Sequence, residues 1–268
     1  MKIQTFEERK MERNLGISLL IAGKSGVGKT SLVNDLKDPV LLIDMEAGDL
    51  SVKNKLCDTI KVRTVEELFD LAVIIGGANP AIIDEKEWFS QAHYDRVNDA
   101  VGGREKFIGK YKTIMFDSLT EMGRIFLKWA EKQPENNVNG KLNLRGCYGD
   151  LARHGLRLLH HLKHTSDINI IFVSILEEVL DDFNRKSYSL QIEGAKIAKE
   201  LAGILDEVFT MDFKKSDKDG KIYRVFYTSA DNEFGYPAKD RSGILKPIEI
   251  ANLDTILEKI KGTTNDKS

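Results

Sequence analysis

Lys29 and Thr30 close a run of small residues, Gly23, Lys24, Ser25, Gly26, Val27 and Gly28, with Ser31 directly behind them. The spacing is G-x-x-x-x-G-K-[ST], in which glycines let backbone N–H groups curl round an anion that a helix N-terminus also attracts. In a loop of this kind the lysine reaches the β- and γ-phosphates of a nucleotide, and the threonine hydroxyl ligates Mg²⁺. The plainer alternative is a glycine-rich turn that carries a surface lysine. The flanks favour the cradle: residues 17–22 are β-prone, and Leu32, Val33 and Leu36 fall at helical spacing after it, which predicts strand, loop and helix in that order.

A cradle hydrolyses nothing by itself; a second acidic residue must help hold Mg²⁺ and a base must orient the attacking water. Asp117 ends the apolar run "TIMFD", at the end of a strand where ligands gather in open α/β sheets, and is the expected metal-side carboxylate. Its alternative role is to cap the helix that begins near Ser118. Two glutamates compete as base. Glu46, in "LLIDMEAGD", follows a strand whose end should neighbour the cradle, and it is preferred over Glu121, which lies in a helical pattern. Asp44, at the same strand end, either orients a water or bonds its own loop. GTP is disfavoured, because "NKLCD" at residues 54–58 is one residue too long for N-K-x-D and "DMEAG" misses the D-x-x-G spacing by one. ATP is therefore the expected nucleotide.

These residues need elements to hold them. Apolar runs at residues 40–44, 113–117, 169–174, 207–212 and 223–228 predict strands. Helical patterns lie between them, at Leu119, Met122, Phe126 and Trp129, at Leu151, Leu158, Leu159 and Leu162, and at Ile197, Leu201 and Leu205. Such alternation implies an α/β fold, a mostly parallel central sheet flanked by helices on both faces. Residues 1–261 read as a single domain, with a helix at 64–75, an elaboration around 78–107 on one edge, and a disordered tail at 262–268.

The 268 residues are 41% hydrophobic and 31% charged, an ordinary globular balance that can bury one large core. A formal net charge of -2 exerts no global pull on nucleic acid, so contact with it would need a local basic patch. Cys57 and Cys147 form no C-x-x-C pair and read as idle thiols in a reducing compartment. The charged start "MKIQTFEERKMERN" lacks the apolar core of a signal peptide, and no apolar run is long enough to span a bilayer. A cytoplasmic protein with no membrane partner is expected. His160, His161 and His164 have no acidic or thiol partner at ligand spacing and read as a solvated or packed helix face.

The segments "IDMEAGD", "IMFDS" and "AKDRSG" resemble the RecA-type ATPase core, and the layout along nearly the whole chain is similar to phage RecA-like ATPases of the Sak type, which are single-strand annealing proteins. The resemblance implies a RecA-like P-loop NTPase core, ATP and Mg²⁺ as cofactors, and Glu46 as the residue that activates water. In the related RadA and DnaB groups a K-x-R-x-G segment reaches the neighbouring subunit's nucleotide, which implies that Lys239 and Arg241 act in trans. A cation aimed at the γ-phosphate can be supplied across an interface in this way. Read from the residues alone, "KDRSG" is a charged turn before an edge strand. Head-to-tail contacts generate rings or filaments, the expected assembly. In phage recombination the resemblance also implies single-stranded DNA and a single-strand-binding protein as partners. One departure is that Ser174 and Ile175 stand where RecA has a γ-phosphate-sensing amide, leaving Ser174 to bond a water or phosphate.

Residues 136–150 and 181–191 follow the third and fourth of the core strands and occupy the places of the two RecA DNA loops. Lys141 and Arg145 in the first, and Arg185 and Lys186 interleaved with Phe183 and Tyr188 in the second, suit phosphate contact with base stacking. The alternative for the second is a polar surface loop whose Asp181 and Asp182 offset its charge. The expected activity is a DNA-stimulated ATPase acting on single-stranded DNA. Competing classes are a helicase-associated or loader-type ATPase that works through a protein partner, and a nucleotide-regulated binding module with negligible hydrolysis.

Overall fold

Strands buried at every position need cover on both faces, and the centre of the sheet is built from such strands. β1 (Ser18–Gly23) and β2 (Val40–Asp44) are buried along their whole lengths, with a 3₁₀ turn, Thr30–Asp35, between them. β3 (Cys57–Lys61) leads into α1 (Val65–Gly76), α2 (Gln91–Val101) and α3 (Arg104–Ile108). The fully buried β4 (Thr113–Asp117) is followed by α4 (Leu119–Ala130), a small hairpin of β5 (Asn137–Val138) and β6 (Lys141–Leu142), and α5 (Leu144–Lys163). Then come β7 (Asn169–Leu180), β8 (Lys186–Leu190), α6 (Ala195–Ile204), β9 (Glu207–Lys215), β10 (Ile222–Tyr227), β11 (Lys239–Asp240), β12 (Ile248–Ile250) and α7 (Leu253–Lys261). The computed structural model describes Thr5 and residues 16–165, 167–180, 186–216 and 219–262. Of the expected tail at 262–268, Gly262 is the left-handed C-cap of α7, and residues 263–268 lie outside the described residues.

The strand order is β12-β10-β9-β1-β7-β4-β2-β3. The inner five, β9, β1, β7, β4 and β2, are parallel, and β10 and β12 add an antiparallel edge. Alternate residues of each strand feed opposite faces. Leu20, Ala22, Phe116 and Phe172 pack with α1, α4, α5 and α6, whereas Leu19, Ile21, Met115 and Phe209 pack with the 3₁₀ turn and α7. Helix ends follow their caps: Thr64 and Glu67 form a reciprocal capping box on α1, and Ser118, Asn143 and Asn252 cap α4, α5 and α7.

The helix expected after Thr30 is only a six-residue 3₁₀ turn. Leu36 is already extended, Pro39 blocks helical continuation, and the Asn54 amide donates to Val33 O at 2.8 Å and Leu36 O at 2.9 Å, which satisfies carbonyls a longer helix would have bonded. β3 had no sequence signal because it is an edge strand with exposed Asp58 and Thr59, paired among the described residues to β2 alone. The elaboration after α1 is folded onto it: Trp88 stacks on Phe69 at 4.7 Å, and His93 Nε2 lies 2.8 Å from Asp70 Oδ1.

The largest difference concerns the two expected DNA loops. β7 does not end at Ser174 but runs to Leu180 and returns as β8, so Lys186 lies in a strand and pairs with Glu178 at 3.0 Å. Tyr188 packs against Tyr236 with ring centroids 4.6 Å apart, so it is not free to stack on a base. Phe183 and Arg185 lie outside the described residues. In the first segment, Lys141 is exposed on β6 and Arg145 is exposed in the first turn of α5, while Asn136 anchors the segment through Ala130 O and Asp150 Oδ2.

Candidate nucleotide site

β1 ends at Gly23, but both its neighbours continue. Gly23 is level with Ile175 and with Met211, so β7 runs five residues past it and β9 four. Each of these extensions pairs with a returning strand, β8 or β10, and the loop 24–29 sits in the notch between the two ribbons. The loop is shaped by close approach. A Cβ on Gly23 would lie 2.8 Å from Met211 O, and Gly28 has φ 95 with its missing Cβ position 2.6 Å from Arg224 Nη1. Lys24, Ser25 and Gly26 form the exposed crest, and Val27 is buried as the loop's anchor in the core.

Lys29 Nζ donates to Gly23 O at 2.8 Å and to Lys24 O at 3.1 Å, so the ammonium spans the loop it belongs to. Burial pushes the Lys29 pKa below its ordinary value, and the carboxylates of Asp117 and Glu46 pull it back. Thr30 Oγ1 donates to Asp117 Oδ2 at 2.5 Å. Ser31 Oγ donates to Gly28 O at 2.8 Å. Lys29, Thr30, Asp117 and Glu46 are thus brought to one place.

Asp117 is level with Asp44 on the adjoining strand. Burial raises the Asp117 pKa to about 6; the Thr30 hydroxyl opposes this, the Glu46 carboxylate adds to it, Lys29 opposes it and Asp44 adds to it. Asp44 Oδ1 accepts from the amides of Glu46 at 3.1 Å and Gly48 at 3.2 Å, so Asp44 shapes the turn that presents Glu46. Its Oδ2 is buried with no partner among the described residues. A hydroxyl and a carboxylate in contact, in a pocket with surplus buried negative charge, fit Mg²⁺, a hard cation that takes oxygen ligands. Thr30 and Asp117 would hold it.

Ser118 settles the question of the cap. It, and not Asp117, caps α4, accepting from Glu121 N, and its hydroxyl also donates to Glu46 Oε1. Glu121 is turned to Arg124 at 3.0 Å, away from a base's role. Ser174 is fully buried beside Thr120 Oγ1 at 3.5 Å and donates to Ile175 O, which corrects the expectation that it bonds a water or phosphate.

Lys239 and Arg241 lie at the other end of β9. β11 pairs with Val208 and Glu207, below the level of Gly23. Lys239 Nζ donates to Ala202 O at 2.6 Å and Leu205 O at 2.7 Å, closing the C-terminal end of α6, and Arg241 Nη1 reaches Asp206 at 2.9 Å. Asp206 also accepts from Lys163 and Ser18.

Sequence reasoning missed Arg224, whose Nη1 donates to Ser31 Oγ at 2.9 Å and to Gly28 O at 3.3 Å. Its signal was an arginine at the same parity as the buried Phe226 in "IYRVFY". A cleft of about 630 Å³ lies elsewhere, beside Phe89, Arg157 and the three histidines. There His161 stacks on Phe89 at 3.8 Å and burial lowers its pKa to about 4, while Arg157 is held by Glu87 at 2.6 Å. Among the described residues no group of three or more His, Cys, Asp or Glu could hold a metal ion.

A family model for the AAA domain (AAA_24) matches residues 15–242. The chain belongs to that family. This AAA-domain protein has the α/β P-loop NTPase fold. No curated protein matches it by sequence. Among solved structures it is similar to a KaiC-like protein from the hyperthermophilic archaeon Pyrococcus horikoshii, at 13% identity and TM-score 0.37, over 83% of each chain. It is also similar to an ATPase from the type III secretion system of pathogenic bacteria, at 18% identity and TM-score 0.40, over 76% of this chain and 54% of that one. No helix among the described residues of this AAA-domain protein is long and apolar enough to cross a membrane.

Proposed function

We propose that the chain binds Mg·ATP in the 23–31 loop, hydrolyses it with Glu46 as the base, and uses the cycle to act on single-stranded DNA in phage recombination or annealing. The observation that carries the ATPase reading is the contact of Thr30 with Asp117, with Lys29 and Glu46 in the same pocket. Mg²⁺ held by Thr30 and Asp117 would neutralise charge on the phosphate oxygens. Lys29 exchanges its loop carbonyls for those oxygens. Ser118 holds one oxygen of Glu46, leaving the other to orient a water towards the γ-phosphorus. As the water's P–O bond forms, the bond to the ADP oxygen breaks and the water proton passes to Glu46, then to solvent, giving ADP and phosphate.

Lys239 and Arg241 act in this reading on a neighbouring subunit in a head-to-tail ring or filament; their place at the opposite end of β9 from the chain's own loop supports a role in trans. The DNA reading rests on the Sak-type resemblance, with Lys141 and Arg145 as described contacts, and a cytoplasmic site of action and a single-strand-binding partner belong to the same reading. A protein-directed loader is the second reading, because the β7–β8 ribbon beside the loop exposes Val179 (40%) and Leu180 (55%) with Glu177 and Glu178, a surface suited to protein more than to phosphate. The test is phosphate release by the purified chain, with Lys29→Ala as control, with and without single-stranded DNA across salt concentrations. Stimulation that falls steeply with salt supports the DNA reading. ATPase activity indifferent to DNA at every salt concentration would favour the loader, and no Lys29-dependent hydrolysis would sink both.

A further inference from the structure

The loop and its carboxylates account for the phosphates, but a nucleoside triphosphate also needs a place for its base. The β9–β10 ribbon offers one. Arg224 and Phe213 are register partners across it, and Ile222 and Phe226 share their face of β10. The identity of that face is fixed lower down, where Met211 opposite Phe226 packs with Val27, Leu32 and Val33, the core under the loop. Above the loop the same face emerges from the core. Phe213 is 54% exposed and Ile222 68% exposed, on either side of an arginine that touches Ser31 and Gly28.

The polarity of the site follows from the strand order. Thr30, Asp117 and Glu46 define the hydrolytic end, over β4 and β2. Ser31 and Arg224 lie at the other end, towards β9 and β10. A triphosphate laid in the loop with its γ-phosphate at Asp117 therefore directs its α-phosphate and nucleoside towards Arg224 and Phe213.

We infer that Phe213 is the stacking platform for the nucleotide base and that Arg224 pairs with the α-phosphate, an inference that rests on the 23–31 loop being a triphosphate site. An exposed aromatic ring has a π-face for a base, and the guanidinium is a strong partner for a phosphate oxygen. Ile222 flanks the ring and supplies apolar cover. Because stacking reads the face of a base and not its edge, this platform favours purines without selecting adenine from guanine by itself.

Calorimetric titration with Mg·ATP and with magnesium tripolyphosphate, which has neither base nor sugar, separates the platform from the cradle. Phe213→Ala is expected to weaken ATP binding by about tenfold and leave tripolyphosphate unchanged. Phe213→Trp is expected to keep ATP affinity, with its added fluorescence quenched by ATP and not by tripolyphosphate. Arg224→Gln is expected to weaken ATP and ADP by the same factor, since the α-phosphate is common to both. Equal losses of ATP and tripolyphosphate in Phe213→Ala would make the ring structural and overturn the inference. So would an ATP affinity within about twofold of wild type while Lys29→Ala abolishes binding. Failure of the wild-type chain to bind either ligand would overturn the cradle itself, and the platform with it.

Discussion

Thr30 Oγ1 and Asp117 Oδ2 are joined by a 2.5 Å hydrogen bond across 87 positions of sequence. The hydroxyl comes from the end of the loop and the carboxylate from a strand two places away in the sheet, since β7 lies between β1 and β4. Parallel pairing brings the two strand ends to one edge, and the pair is positioned before any ligand is added. Thr30→Ala and Asp117→Asn should each weaken the Mg²⁺ dependence of hydrolysis by about 100-fold. Titrating Mg²⁺ at fixed ATP checks this, and unchanged half-saturation in both variants would remove the metal role.

Glu46→Gln should lower kcat by about 10²- to 10⁴-fold while ATP affinity is retained, because an amide keeps the shape but cannot take a proton. Ser118→Ala should lower kcat by less, since it removes only the hydroxyl that orients Glu46. Single-turnover hydrolysis measured beside equilibrium binding separates the two effects; parallel loss of binding would place Glu46 in the ground-state site instead.

Arg241→Ala should bind ATP yet hydrolyse it about 10³-fold more slowly if the guanidinium serves a neighbour. Mixing it with Lys29→Ala subunits should then restore part of the activity, because mixed interfaces of one orientation pair an intact loop with an intact arginine. Absence of rescue at every ratio would leave Arg241 as the local partner of Asp206.

Phe69 is fully buried and meets Trp88, Phe89, Phe126 and His154, so it joins α1 to the elaboration, α4 and α5. Phe69→Ala should cost about 3–5 kcal/mol of stability. Denaturant unfolding followed by tryptophan fluorescence reports it directly, as Trp88 stacks on the ring that is removed.

Glu207 is buried at the start of β9, and burial first, then the Asp240 carboxylate, raises its pKa to about 8, against the amides of Ser242 and Arg241. The folded chain holds a proton that the unfolded chain releases near pH 4.5. Its contribution to stability is therefore complete below about 4.5 and is lost as pH rises towards 8. Glu207→Gln should flatten that slope and raise Tm at pH 8 relative to wild type. Identical Tm profiles between pH 5 and 8 would show that the amides keep the carboxylate charged throughout.

The motif from Gly23 to Thr30 was legible because its chemistry is contiguous, and the inner strands were legible because burial on both faces writes itself as an unbroken apolar run. Asp117 and Glu46 were singled out by strand ends downstream of the cradle, and Glu46 also by the RecA-type resemblance. β3 escaped because an edge strand needs no such run, and the β7–β8 ribbon escaped because Glu177 and Glu178 interrupt the apolar run of β7 and β8 is mostly polar.

What the amino-acid order determined by itself, then, was the inner strands, the main helices and the local loop, through periodicities of two and 3.6 residues and a short motif. Only the tertiary structure decided that Ser118 both caps α4 and holds Glu46, 72 positions away, that Lys239 closes α6, and that Arg224 reaches Gly28 over 196 positions. The physical reason is that burial leaves a periodic trace in neighbouring residues, whereas a hydrogen bond between distant strand ends depends on which strands lie side by side. That order is set by packing of the whole sheet and has no local signature.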